Sequence, residues 1–172
     1  MLGKNDLLQV LLQEIEICKH LYTKLPPGAL NYRPTPNQRS TLELLQYLSI
    51  NLAGPFKGML TSDWAGVHAA ADKAKQMPAS EFPAAMDRQA AELRQLFDSI
   101  SEAEFASKQV SLPWGATLSL QVAVLTTLMR WAPAYKMQLF LYAKAAGATD
   151  LKTPNLWRGV DAPMPAMPPP KK

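Results

Sequence analysis

Wherever apolar residues cluster in this chain they return at intervals of three and four, and that spacing commits it to helices. Leu8, Leu11, Ile15, Cys18 and Tyr22 make one stripe of a helix predicted from about Lys4 to Lys24, and Leu25-Pro26-Pro27-Gly28 ends it. A second helix is predicted from Ser40 to Leu60. It opens on Ser40-Thr41-Leu42-Glu43, where the serine hydroxyl takes the amide three residues on and the glutamate reaches back to the cap. Its inner face is Leu45, Leu48, Leu52, Phe56 and Met59, and Gly54-Pro55 is expected to kink or shorten it. A short helix is expected around Trp64 to Lys75, then a longer one from near Ser80 with Pro83 in its first turn. That helix carries Phe82, Met86, Leu93, Leu96 and Ile100 at bundle-like intervals.

The most apolar element is predicted from about Thr117 to Ala146, with only Arg130 and Lys136 charged before Lys144. A helix hydrophobic nearly all round must be covered on most sides by the other helices or by a second subunit. The alternation around Val110 and Leu112 is too brief to predict a strand pair. Residues 1–160 are therefore expected to form one all-α bundle. The stretch from Asp161 to Lys172, with five prolines in twelve residues, reads as an extended or disordered tail.

Charge and cysteine usage narrow the function classes. The net charge of +4 falls to +2 without Lys171 and Lys172, and the remaining basic residues are scattered singly, which argues against a nucleic-acid face. The uncharged run from Gln109 to Met129 holds Ser111, Pro113, Gly115, Ser119 and Gln121, so no membrane span is predicted. Asp6, Glu14 and Glu16 interrupt any signal-peptide core, and a single cysteine excludes an intrachain disulfide; a cytoplasmic protein is expected. Two histidines, His20 and His68, leave little for transition-metal binding. Cys18 reads as a small core hydrophobe and Glu43 as a capping residue.

The order of features resembles the DinB-like superfamily of bacterial four-helix bundles, which includes DNA-damage-inducible proteins and thiol-dependent transferases. The resemblance lies in Leu25-Pro26 through Leu30-Asn31-Tyr32-Arg33-Pro34-Thr35-Pro36, Ser40 to Leu48, and Leu112-Pro113-Trp114-Gly115. It continues in Tyr135-Lys136-Met137-Gln138-Leu139 through Ala146-Gly147 and in Asn155-Leu156-Trp157. It implies a homodimeric bundle with a cleft at one end and, in typical members, a divalent metal held by three histidines. Laid onto this chain, those positions fall on Tyr47, Trp131 and Tyr135, so no metal or other cofactor is expected. Arg39 stands where the family often has a tryptophan.

Trp131, Tyr135, Gln138 and Tyr142 lie on one face of the last helix, with Tyr47 opposite if the family packing holds. Together with Glu43 they are the ligand-pocket candidates; such a cluster is either a hydrogen-bonded core or the wall of a small-molecule pocket. The expected function is that of a metal-free DinB-like protein binding a small ligand in the vestigial metal cleft, with no metal-dependent catalysis. A thiol-dependent transferase and a structural homodimer are the alternatives.

Overall fold

A computed structural model describes residues 3–162; the proline-rich stretch beyond lies outside the described residues. Helix α1, Lys4–Tyr22, has one buried side and one exposed side that carries Asn5, Asp6, Gln9, Gln13 and Glu16. The predicted stripe is only half of what it buries. Leu7, Leu12, Ile17 and Leu21 are buried as well, because the helix is flanked by α5 (Phe82–Asp98) and α8 (Leu128–Ala145) and covered at its end by α9 (Thr153–Arg158).

The predicted second helix is two helices, α2 (Thr41–Leu48) and α3 (Ala53–Thr61). The capping box forms as the sequence suggests: the Glu43 amide donates to Ser40 Oγ at 3.2 Å and the Ser40 amide to Glu43 Oε2 at 2.6 Å. The interruption falls upstream of the expected kink. Pro55 sits in the first turn of α3, where its missing amide costs nothing, but its ring excludes a helical carbonyl four residues back, at Asn51. Gln89 of α5, 3% exposed, bridges the gap: its Nε2 donates to the Leu48 carbonyl at 2.9 Å, and its Oε1 accepts from the Leu52 and Ala53 amides at 2.9 and 3.3 Å. The face Leu45, Leu48, Leu52, Phe56 and Met59 stays buried across the break.

Helix α4, Trp64–Ala74, is capped by Asp63 and lies outside the core. It presses on α3 so closely that a Cβ at Gly58 would meet the Trp64 ring at 2.9 Å. In α5 the large buried side chains are Phe82, Met86, Leu93 and Phe97, with Leu96 half-buried against the same core; Phe97 stacks on Phe56 with ring centroids 4.4 Å apart. Helix α6 (Glu102–Ser107) follows, with its own capping box on Ser101 and Glu104.

Two expectations need correction here. A strand pair is present: β1 (Gln109–Ser111) and β2 (Thr117–Ser119) run antiparallel with Val110 opposite Leu118. Three-residue strands carry too little alternation to announce themselves, and the turn depends on Gly115 at φ +89°. The long last helix is likewise divided. After β2 come α7 (Leu120–Thr126) and α8, separated at Thr127. The hydroxyls of Thr126 and Thr127 bond back to the carbonyls of Val122 and Ala123 at 2.7 and 2.6 Å, a geometry that bends helices. Pro133 is accommodated inside α8.

The four helical tracks α1, α2–α3, α5 and α7–α8 make an all-α bundle. No helix among the described residues is long and apolar enough to cross a membrane. Lys136, on the inward side of α8, is 1% exposed and pairs with Glu14 of α1, its Nζ 2.9 Å from Oε1. Its ammonium also lies 4.8 Å from the ring centre of Trp157 on α9.

Candidate functional site

The capping of α2 sets Tyr47 two turns down the helix, facing α8, where it meets Tyr135 edge to face with ring centroids 4.7 Å apart. Burial, with Tyr135 as the next contribution, pushes the Tyr47 phenol up to about 12, against the opposing charge of Arg39. Arg39 belongs to the loop just ahead of the cap. Its guanidinium lies 4.2 Å from the centre of the Tyr47 ring and 5.7 Å from that of Tyr135, a cation over two aromatic rings. The loop is held by Arg33, which donates to the Gln38 carbonyl and pairs with Glu43 at 2.8 Å. The Glu43 carboxyl lies below its ordinary range, chiefly because the Ser40 amide donates to it and secondarily because of Arg33.

Beside these groups lies an open hollow of about 640 Å3. Arg33, Gln38, Arg39, Glu43, Gln46 and Tyr47 line it, together with Ala71 of α4 and Lys75 just past the end of that helix. Gln46 is itself fixed, donating from Nε2 to the carbonyls of Lys75 and Met77 at 2.8 and 3.0 Å. A second hollow of about 660 Å3 lies across the loop, against Tyr32, Pro34, Met137, Gln138, Leu141 and Tyr142, with Gln38 on both. There Gln138 Nε2 donates to the Tyr142 hydroxyl at 2.6 Å, and Tyr142 packs edge-on to Tyr32 at 5.4 Å.

The six candidate residues thus fall into three groups. Tyr47 and Glu43 line the first hollow, with Tyr135 behind Tyr47; Gln138 and Tyr142 line the second; Trp131 faces Trp114 of the hairpin turn, 6.3 Å between ring centres. Tyr32, Arg33 and Gln38 also line these hollows and are not among the candidates; Tyr32 and Arg33 lie in the Leu25-to-Pro36 stretch that carries part of the resemblance, and Gln38 lies just beyond it. Arg39 stood out in the sequence only as a departure from the family pattern.

The donors of Tyr47, Trp131 and Tyr135, where the resemblance implies histidines, do not fit a divalent metal. An indole N–H offers no lone pair, the Tyr47 phenol holds its proton to about 12, and the positive charge of Arg39 lies over both tyrosine rings. Among the described residues no three His, Cys, Asp or Glu side chains are grouped to hold a metal ion. His20 is engaged elsewhere, 3.0 Å from Asn155 Nδ2, which donates in turn to Asp161 at 2.7 Å, while His68 lies exposed on α4.

No family sequence model and no curated protein sequence matches the chain. Among solved structures, the crystal structure of YjoA, a DinB-like protein from Bacillus subtilis, is similar with a TM-score of 0.65. The likeness covers 88% of this chain and 97% of that one at 14% sequence identity. The chain is therefore a DinB-like bundle in fold.

Proposed function

We propose that this DinB-like chain works without a bound metal and holds a small, partly apolar organic ligand in the hollow beside Tyr47. The observation that carries this reading is Arg39. Its exposed guanidinium lies over Tyr47 and Tyr135 and presents N–H donors at the edge of a hollow that also offers Leu42, Ile50 and the Tyr47 ring. The volume of about 640 Å3 falls in the range of small-molecule sites. Such a wall suits a molecule with an apolar body against Tyr47 and an oxygen-bearing group towards Arg39.

The test is a thermal-shift screen of small metabolites on the purified protein, followed by calorimetry. A true ligand of this hollow raises Tm in the wild type and loses at least about tenfold in affinity in Arg39→Ala and in Tyr47→Ala, the change that one lost charge-assisted contact produces. A ligand indifferent to both substitutions binds elsewhere. Elemental analysis returning about one Zn, Ni, Mn or Fe per chain, whose removal by a chelator lowers Tm, overturns the metal-free reading.

A further inference from the structure

Among the described residues, buried side-chain oxygens and nitrogens without a hydrogen-bond partner occur at two positions, Asn51 and Glu14. Asn51, in the gap between α2 and α3, is 1% exposed, and neither its Oδ1 nor its Nδ2 has a hydrogen-bond partner. Glu14 Oε2 is the other buried side-chain oxygen or nitrogen among the described residues left in that condition. Lys136 Nζ lies 2.8 Å from it and 2.9 Å from Oε1, so the charge is met, but Oε2 keeps a lone pair free to accept a further hydrogen bond. Glu14 and Asn51 line the same small cavity, of about 10 Å3, closed by Cys18, Leu48, Met86 and Ala132.

The chemistry of the walls selects the occupant. Lys136 already balances the Glu14 charge, so the cavity calls for neither a cation nor an anion. Its volume is that of about one water molecule, and its polar wall offers an amide that both donates and accepts beside a carboxylate oxygen that accepts. We propose that this cavity is a specific site for one internal water, which accepts from Asn51 Nδ2 and donates to Glu14 Oε2. With the amide turned over, the same water donates to Oδ1 and to Glu14, so the site serves either orientation. It joins the gap between α2 and α3 to the Glu14–Lys136 pair, which accounts for an asparagine at a position otherwise suited to leucine.

Oxygen-17 relaxation dispersion of water counts long-lived internal waters in the folded protein. The wild type is expected to exceed Asn51→Leu by the amplitude of one water, since leucine fills the volume without a polar group. Equal amplitudes from two folded proteins would overturn the proposal, as would a wild-type amplitude that depends on sodium or potassium concentration. Should Asn51→Leu fail to fold, a high-resolution crystal structure of the wild type decides. A density peak within hydrogen-bonding distance of Asn51 and Glu14 supports the site, and an Asn51 amide bonded directly to a protein group with no such peak refutes it.

Discussion

Cys18 carries a reactive group and is denied its reactivity by position. It lies 2% exposed on the core side of α1, and burial pushes its thiol up to about 12, with the Glu14 charge adding and Lys136 opposing. The thiolate is the nucleophile, so at pH 8 the folded protein should leave an aromatic disulfide reagent unreacted, and one thiol per chain should appear once urea unfolds it. The folded value lies above the ordinary 9.0, so the contribution to stability is complete below pH 9 and is lost as pH rises through about 12. The slope is on the order of 1.4 kcal/mol per pH unit. Tyr47 adds a similar loss only above its ordinary 10.0. Urea midpoints measured between pH 9 and 10 should therefore fall more steeply for wild type than for Cys18→Ala; parallel curves would mean that the thiol is not held protonated. The burial of Cys18 was legible from its place on a three-and-four stripe. The partner of Trp131 was not, because Trp114 reaches it only through a hairpin too short to read.

At the scale of elements, spacing revealed the helices and proline revealed an interruption, but not its place. Gly54-Pro55 draws the eye, whereas the physical conflict is with the carbonyl four residues earlier, and the chain opens there. What makes that opening tolerable is Gln89, and nothing in the sequence distinguishes it from the solvent-facing polar residues of an amphipathic helix. Its three backbone bonds are all buried, so Gln89→Leu strands the Leu48 carbonyl and the Leu52 and Ala53 amides together. Leaving three such groups unpaired costs at least about 3 kcal/mol, to be read from the urea midpoint at unchanged m-value. A loss below about 0.5 kcal/mol would show that the break closes or finds other partners. The same limit applies to α7 and α8, where two adjacent threonines divide what reads as one apolar helix.

For the molecule as a whole, the order of helices, turns and prolines was enough to reach the DinB-like fold, because each segment answers to local chemistry. The site was legible only in part. Tyr47 and Tyr135 do meet, but Arg39, whose guanidinium lies over both rings, comes from a loop whose path no periodicity describes. The same holds for the charge at the centre of the bundle: the sequence shows Lys136 in an apolar helix and Glu14 on the first one, and only the packed structure sets them 2.8 Å apart, with Trp157 over the ammonium. This pair ties α1, α8 and α9 together, yet taking both charges out of water consumes most of what their attraction returns. Lys136→Met should thus cost about 3–5 kcal/mol, because it leaves Glu14 charged and enclosed, whereas Lys136→Met combined with Glu14→Leu should recover most of that loss. Chemical denaturation of the two single variants and the double variant measures the coupling directly. Additive losses would mean that the two side chains do not depend on each other, and that the bundle is held by its apolar packing alone at the point where its charges meet.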